Sequence, residues 1–395
     1  MKFDNAYIPG PLMWSSPFIR WQRAAADLNS LDMAAQVTRD ALDAREFDRE
    51  RVGQLIYGTT VPQRGSFYAG PLVAARSGLP NVGGPTISQA CATSVACVAQ
   101  AAAQAQLNAG EVQLVVTSDR VSNGPLMIYP SSSAMGGGPN TENWVLDNFV
   151  CDPWTGESMV HTAEATARDG GFTREQCDEL TLLRFNQYQH ALADDRRIQR
   201  RYMQPILVPG RKTEVRLEED DGVSPYSVDG LRGLRPSLPG GVTTPGTQTH
   251  PADGTAGLVV SGLDEARALA AGEGVSRLLS AGFCRAEKGR MPKAPALAAQ
   301  RALASAGVSI DEVKVVVTHN PFAVNDLWFA KALGFPLEKM NPYGCSLIYG
   351  HPQGPTGMRG IVELVHALRE QGGGVGLFTG CAAGDMGAAL LLRVE

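Results

Sequence analysis

Short apolar runs bounded by glycine or by polar residues recur along the chain and predict strands that are buried on both faces. Val52-Gly-Gln-Leu-Ile-Tyr-Gly58 follows a helix-like stretch, Asp32 to Leu42. Val313-Lys-Val-Val-Val-Thr-His319 follows a similar stretch, Pro292 to Leu303, at the same distance. Leu42 and Leu303, which end the two helical stretches, are 261 residues apart.

A second pair of runs repeats the first at nearly the same distance. Gly110-Glu-Val-Gln-Leu-Val-Val-Thr117 and Gly373-Gly-Val-Gly-Leu-Phe-Thr379 each follow a predicted helix, and Leu114 aligns with Leu377 at an offset of 263. Each half therefore has the order helix, buried strand, turn, helix and buried strand. Chance likeness of two α/β segments is the alternative. A duplication predicts an α/β fold in which helices cover the faces of mixed sheets.

The segment between the two repeated halves does not show the repeated pattern of helices and strands. It holds two long irregular stretches, Ser122 to Asp152 and Val208 to Thr249, and one strong helix, Thr173 to Asp194, that opens with a capping-box pattern. An insertion that carries loops is a common place for substrate specificity. The predicted division is an N-terminal half, a loop domain, and a returning strand with the C-terminal half (1–118, 119–250 and 251–395).

Composition narrows the class of protein. The 395 residues are 44% hydrophobic and 19% charged, which suits a compact soluble protein. A net charge of −5 with dispersed Lys and Arg argues against nucleic acid as a partner. The start is too polar for a signal peptide, and a membrane span is not predicted. Seven cysteines without paired spacing argue against disulfides and zinc, so we expect a reducing cytoplasm.

Two cysteines are candidates for chemistry. Cys91, in Ser-Gln-Ala-Cys-Ala-Thr-Ser, precedes an alanine-rich helix predicted from Ala92 to Ala109, whose start should lower the pKa of the thiol. Cys381, in Gly-Cys-Ala-Ala-Gly-Asp-Met-Gly, precedes a turn whose N–H groups can form an oxyanion hole. The alternatives are a core cysteine at a helix start, as expected for Cys97, and a tight turn of small residues.

Histidines supply the candidate bases. His351, in Gly-His-Pro-Gln-Gly-Pro-Thr-Gly, is held rigidly enough to deprotonate a thiol and then to donate to a thioester oxygen; a core histidine is the alternative. His319 ends a buried strand, where polar residues commonly face a ligand, and Asn320 competes for that role. His161 is a weaker candidate for the pocket. His366 is expected on a helix surface.

These motifs together resemble those of the thiolase family. Members usually have a nucleophilic cysteine before a buried helix, then G-H-P-x-G-x-[ST]-G, then C-x-G-G-G-x-G. Three further segments match in the family's order: Met159-Val-His-Thr-Ala-Glu resembles M-G-x-T-A-E, Asp253-Gly-Thr-Ala resembles D-G-A-A, and Asn341-Pro-Tyr-Gly resembles N-x-x-G. The resemblance spans nearly the whole chain.

The resemblance implies a five-layered αβαβα fold made of two similar halves with an inserted loop domain. Cys91 would be acylated, His351 would activate it, and Cys381 would be the acid/base that protonates or generates an acyl-CoA carbanion. Met159, His161 and Ala383 would line the substrate. Coenzyme A would be a substrate, with no bound cofactor or metal. Homodimers or homotetramers are expected.

The chain departs from the family pattern at several places. The usual N-E-A-F reads His319-Asn-Pro-Phe here, closer to the H-D-A-F branch that includes the sterol-carrier-type thiolases, where the histidine would hold an oxyanion water. Ala383 and Val160 replace usual glycines, and Leu126 to Asn140 lacks the usual pattern. A larger or unusual acyl group is therefore expected. That branch sometimes works with a small zinc-ribbon/OB-fold partner, which the sequence neither requires nor excludes.

Two other functions compete with a thiolase that cleaves a 3-oxoacyl-CoA or runs the reverse Claisen condensation. A ketoacyl-synthase-like condensing enzyme would use one cysteine with two histidines and would leave Cys381 without a role. A thiolase-like subunit that binds acyl-CoA and needs a partner would not require Cys91, His351 and Cys381 together. A dehydrogenase is disfavoured because G-x-G-x-x-G does not follow a first strand.

Overall fold

Two large β-sheets alternate with three layers of helices. The computed structural model describes residues 1–108, 110–131, 137–210 and 213–395. The strands have these bounds: β1 Tyr7–Pro9, β2 Met13–Ser15, β3 Ile19–Arg20, β4 Val52–Gly58, β5 Thr86–Ile87, β6 Val112–Arg120, β7 Leu126–Tyr129, β8 Asn140–Asn143, β9 Ile206–Val208, β10 Val215–Leu217, β11 Ala252–Val260, β12 Val275–Arg285, β13 Val313–His319, β14 Gly374–Ala382 and β15 Met386–Val394.

The helices fall into outer, central and inserted groups. Their bounds are α1 Ser30–Asp43, α2 Ala69–Arg76, α3 Thr93–Leu107, α4 Leu146–Val150, α5 Met159–Gly170, α6 Arg174–Ala191, α7 Ala193–Arg196, α8 Val228–Arg232, α9 Leu263–Leu269, α10 Ala294–Ala306, α11 Ala323–Leu333, α12 Ser346–Tyr349 and α13 Gly354–Glu370. The predicted helix from Ala92 ends at Leu107, and Ala109 lies outside the described residues.

The layer order confirms the predicted αβαβα fold. One sheet has the order β2-β11-β6-β4-β5 and the other β1-β12-β15-β14-β13. Helices α1 and α2 cover the outer face of the first sheet, and α10 covers the outer face of the second. Helices α3 and α13 lie between the sheets and contact both, which explains why α3 is built of small residues.

The register of the strands reproduces the sequence duplication. Parallel strands β4 and β6 pair Leu55 with Leu114, and parallel strands β13 and β14 pair Val316 with Leu377. The partners in the second pair lie 261 and 263 residues after those in the first, which are the two offsets seen in the sequence. A register irregularity follows Val52 in one half and Val313 in the other.

Helix α13 is the central element of the molecule. Every residue from Gly354 to Leu368 is buried, because sheets cover both of its faces. Gly360 allows this close packing, since a Cβ at that position would lie 2.6 Å from the ring of Phe378 on β14. The helix therefore holds a fixed position relative to both sheets.

The inserted segment is attached to this core by buried charges. Arg359 of α13 donates to both carboxylate oxygens of Asp220, at 2.6 and 2.8 Å, and to Glu363 at 2.9 Å.

The predicted helix from Thr173 has its capping box, but α6 ends at Ala191, before Asp194 takes a left-handed φ of 52°. The division of the chain into domains after residues 118 and 250 remains a prediction. Strand β11, which follows the second boundary, pairs with β6 in the first sheet.

The Leu126 to Asn140 stretch is described only in part. It contributes β7 and the first residue of β8, which pair in an antiparallel hairpin, while residues 132–136 lie outside the described residues. In the described ranges we find no helix that is long and apolar enough to cross a membrane.

Candidate active site

The carboxyl ends of β13 and β14 and the loops before α3 and α13 meet at a cavity of about 260 Å³. Cys91, His319, His351, Cys381 and Ala383 all line it. Most of the remaining wall is apolar: Phe149, Met159, Val160, Pro251, Met291, Pro321 and Phe322. The fold thus brings together side chains that are up to 292 residues apart in the sequence.

Cys91 and His351 are in direct contact. The Sγ atom of Cys91 lies 3.1 Å from Nε2 of His351, and the two residues are 260 positions apart, close to the offset of the duplication. Each residue stands shortly before a central helix, Cys91 before α3 and His351 before α13. Ala90, directly before Cys91, holds a left-handed φ of 45°, which non-glycine residues rarely adopt.

The expectation of a lowered Cys91 pKa is wrong for the free protein. Burial raises the pKa of the Cys91 thiol to about 12, although the backbone N–H groups of Ala383 and of Cys91 itself oppose that shift. Helix α3 begins two residues later, at Thr93, and its end does not compensate for the loss of water. The thiol therefore holds its proton until another group accepts it.

His351 is oriented to accept that proton. Its Nδ1 lies 2.7 Å from the hydroxyl of Thr356, and its backbone N–H donates to the carbonyl of His250 at 2.9 Å. Burial, followed by the neighbouring His319, lowers the pKa of His351 well below 6.5. The imidazole is thus neutral at pH 7, and Nε2 can accept the thiol proton while Thr356 fixes the ring.

His319 stacks on His351. The ring centroids are 4.0 Å apart, and Nδ1 of His319 lies 2.8 Å from the hydroxyl of Ser346. Burial lowers the pKa of His319 to about 3. Its Nε2 has no hydrogen-bond partner among the described residues, so a polar group of the ligand can bind there. Asn320, the competing candidate, instead donates to Asp326 at 2.8 Å.

Cys381 lines the same cavity as Cys91. Nδ2 of Asn325 donates to its Sγ at 3.2 Å. Burial, and then the neighbouring Cys91, raises the pKa of the Cys381 thiol. Asn325 was not singled out from the sequence. Its helix, α11, starts four residues after His319, and only the fold brings it back to Cys381.

Asp119 was also missed, because it has no motif of its own. Its buried carboxylate accepts hydrogen bonds from the N–H groups of Thr60, Val61 and Gly354 at 2.7, 2.9 and 2.9 Å. Burial raises its pKa to about 6 against these donors. Asp119 ties the loop after β4 to the first residue of α13, three positions after His351.

The neighbouring candidate residues on α5 do not all face the same cavity. Met159 and Val160 line the cavity, whereas the exposed His161 does not. His161 contacts the Ser158 hydroxyl through Nδ1 at 2.8 Å and lines a different cavity, beside Glu164 and Arg168. The side chain of His161 therefore belongs to a surface separate from Cys91.

Three side chains of the cavity could also bind a metal ion through one atom each. A sulfur of Cys91 and ring nitrogens of His319 and His351 lie within 4.8 Å of one another. A thiolate with two imidazoles is a donor set suited to Zn²⁺. A metal there would occupy the nucleophile and its base, so it would compete with acyl transfer.

Known proteins match the chain along nearly its whole length. Residues 14–263 match the thiolase N-terminal domain, and residues 275–394 match the thiolase C-terminal domain. The acetyl-CoA acetyltransferase of Escherichia coli strain K12 is 29% identical over 93% of this chain and 94% of its own. The 3-ketoacyl-CoA thiolase of Pseudoalteromonas translucida strain TAC 125 is 28% identical over 96% and 94%.

Solved structures share the fold. Bacillus anthracis acetyl-CoA acetyltransferase superposes with a TM-score of 0.91 at 24% identity, covering 100% of both chains. Human mitochondrial 3-ketoacyl-CoA thiolase in complex with CoA superposes with a TM-score of 0.89 at 22% identity, covering 99% of this chain and 98% of that one. With both thiolase domains matched in order, the chain belongs to the thiolase family.

Proposed function

We propose that this protein is an acyltransferase of the thiolase type, which cleaves a 3-oxoacyl-CoA with free coenzyme A or runs the reverse Claisen condensation. The observation that carries the proposal is the 3.1 Å contact between Cys91 Sγ and His351 Nε2 in a cavity that Cys381 also lines. The names of the relatives, acetyl-CoA acetyltransferase and 3-ketoacyl-CoA thiolase, support the same substrate class.

The first step forms an acyl-enzyme. As Cys91 Sγ attacks the 3-oxo carbon, its proton passes to His351 Nε2, and the carbonyl oxygen becomes an oxyanion. The imidazolium that forms can donate back to that oxygen. The unpartnered Nε2 of His319 can bind it as well, directly or through a water.

The second step breaks the bond between carbons 2 and 3. Collapse of the oxyanion leaves the acyl group on Cys91 and expels the carbanion of acetyl-CoA, which takes the proton of the Cys381 thiol. Asn325 donates to the Cys381 sulfur and stabilises the thiolate that remains. The N–H groups of Cys91 and Ala383, which contact Cys91 Sγ, can bind the thioester oxygen of the acyl-enzyme.

The third step transfers the acyl group to coenzyme A. Cys381 thiolate removes the proton of the incoming CoA thiol, whose sulfur attacks the acyl carbon. Collapse of this second tetrahedral intermediate releases acyl-CoA and returns Cys91 as a thiol, with its proton supplied by His351. The condensation runs through the same steps in reverse.

Several finer features belong to the same proposal. His319 in place of asparagine supports a site like that of the sterol-carrier-type branch. The exposed apolar side chains of the β7–β8 hairpin, Leu126 and Ile128, support burial against a second copy in a homodimer or homotetramer. The free state of all seven cysteines supports a cytoplasmic location.

A condensing enzyme of the ketoacyl-synthase kind is the second candidate. The stacked pair His319 and His351 beside Cys91 favours it, since such enzymes use one cysteine with two histidines. Cys381 with its donor Asn325 has no role there. Malonyl-CoA would be decarboxylated by a condensing enzyme of that kind and not by a thiolase.

The test is intact-protein mass spectrometry with a panel of acyl-CoAs, including malonyl-CoA. An acyl adduct on the wild type and on Cys381→Ala, absent in Cys91→Ser, is expected. Cys177→Ala, a buried cysteine on α6 that does not line the cavity, is the matched control and should behave as the wild type. Absence of an adduct with every acyl-CoA would exclude the proposed reaction and favour a binding subunit.

A further inference from the structure

A second cavity, of about 620 Å³, lies at the other end of α13. His366 and Arg369 from the last turns of the helix line it, together with Arg45 just after α1, Arg201 and Glu273. His366 comes 12 residues after Gly354, the first residue of α13, so at about 1.5 Å per residue it lies about 18 Å along the helix from the end near His351. This cavity is therefore separate from the candidate active site.

The charge of the lining is positive. Arg45, Arg201 and Arg369 line it with one carboxylate, that of Glu273. Glu370, outside the lining, lies 3.9 Å from Nη1 of Arg201. Glu273 lies 3.7 Å from Nη1 of Arg369 and is 57% exposed, so water weakens this ion pair. The lining itself therefore holds more positive than negative side chains.

The arginines differ in how their donors are used. Each of the three nitrogens of the Arg45 guanidinium donates to a backbone carbonyl, those of Pro11, Ala41 and Met13. Arg369 donates only through Nη1, to the carbonyl of Gly10 at 3.0 Å. Its buried Nε and Nη2 have no partner among the described residues. These two N–H groups form the edge of a guanidinium that grips an oxyanion with two parallel hydrogen bonds.

His366 is a second side chain of this cavity whose buried polar atoms lack partners. The sequence predicted a surface residue, but the side chain is only 5% exposed, and neither Nδ1 nor Nε2 has a partner among the described residues. Its ring stacks on Tyr202, with the centroids 5.6 Å apart. A buried imidazole without partners is costly unless a ligand supplies them.

We propose that this cavity binds a small dianion that carries a phosphate or two carboxylates, held by Arg369 and His366 and closed by Arg201 at the rim. Arg369 supplies the paired donors, and His366 supplies one ring N–H. Arg201, whose side chain is 44% exposed, adds charge from the solvent side. Binding here does not depend on the chemistry proposed for Cys91.

The experiment is isothermal titration calorimetry of the full chain at constant ionic strength, with inorganic phosphate in one arm and succinate in the other. Saturable binding of one or both is expected, and the arm that binds identifies the acidic group. Arg369→Gln should weaken binding about tenfold, the factor that one charge-assisted hydrogen bond contributes. Arg301→Gln, on the distant helix α10, is the charge-matched control and should bind as the wild type.

Arg201→Gln keeps the proposal testable if Arg369→Gln does not fold. This rim residue is half exposed and should weaken binding severalfold without a change in the thermal unfolding midpoint. The proposal is overturned if neither probe gives a saturable heat. It is equally overturned if a folded Arg369→Gln or Arg201→Gln variant binds as tightly as Arg301→Gln.

Discussion

The imidazole rings of His319 and His351 stack with their centroids 4.0 Å apart and their planes 25° from parallel. Burial lowers the pKa of both rings, and two imidazolium ions at that distance would also repel each other, so the rings are neutral in the free protein. The site therefore begins with a neutral thiol and two neutral bases. A thiolate and an imidazolium form only when a bound substrate takes up part of the charge.

The pH dependence of catalysis follows from this neutral state. Burial lowers the pKa of His351 well below 6.5, so the base stays unprotonated as the pH falls through 6.5. The acid limb of kcat/KM is expected below pH 6.5. A pH profile with acetoacetyl-CoA and CoA measures it. An acid limb at or above pH 6.5 would contradict the assignment of His351 as a buried neutral base.

Asn325 should act on the second cysteine alone. In Asn325→Ala, the Cys381 thiolate loses its donor, and turnover should fall about 10- to 100-fold, the worth of one hydrogen bond to a charged group. Acylation of Cys91 by a simple acyl-CoA, from which CoA leaves as a thiolate and not as a carbanion, should persist. Quenched-flow detection of the acyl-enzyme beside steady-state turnover separates the two steps. Equal loss of both would show that Asn325 acts on the whole site.

The wall of the cavity should set the length of the acyl group. Met159→Ala removes side-chain volume beside Cys91, so longer chains gain room, and each methylene accommodated is worth about 1–3 kcal/mol. The ratio of kcat/KM for 3-oxohexanoyl-CoA to that for acetoacetyl-CoA should rise. Phe67→Ala, which alters a side chain that is 97% exposed, is the control and should leave the ratio unchanged. A ratio that falls or does not move in Met159→Ala would place the acyl chain elsewhere.

Zinc should inhibit the enzyme at its nucleophile. Cys91, His319 and His351 present three ligand atoms within 4.8 Å, and Zn²⁺ prefers such sulfur and nitrogen donors. Inhibition competitive with acyl-CoA and reversed by EDTA is expected in initial-rate assays. Mg²⁺ should have no such effect, because it prefers oxygen ligands. Zinc bound with unchanged affinity by Cys91→Ser would argue for a site elsewhere.

Arg359 should be among the most sensitive positions for stability. Arg359→Leu leaves the buried carboxylates of Asp220 and Glu363 without their cation, so the free energy of unfolding should fall by about 3–5 kcal/mol. Arg76→Leu breaks the exposed pair with Asp32 and should cost less than about 1 kcal/mol. Urea unfolding of both variants compares them directly. Similar losses would mean that Asp220 and Glu363 find other partners.

The fold could be predicted from the sequence because the two halves of the chain repeat the same order and spacing of apolar runs. Strands β4 and β13 have the predicted limits, since each is a short, mainly apolar run whose residues are mostly buried. The cavity residues Cys91, His351, Cys381 and His319 stand in recognisable motifs. Their proposed roles remain predictions for the experiments above.

Other features depend on contacts between distant segments. The Cys91 pKa was predicted in the wrong direction, because the local helix start was weighed without the burial that both sheets impose. Asn325 and Asp119 gave no signal, since single polar residues become functional candidates only through their partners. His366 looked like a surface residue, yet α13 is covered on all sides.

The 260-residue separation of Cys91 and His351 sets a condition on how such a site can arise. The two residues precede equivalent helices of the repeated halves, so a complex of two identical halves would bring like side chains together, thiol against thiol or imidazole against imidazole. A nucleophile facing its own base requires the two copies to differ at that position. Joining both halves in one gene permits this, because each copy can then mutate separately while the pairing between them is kept.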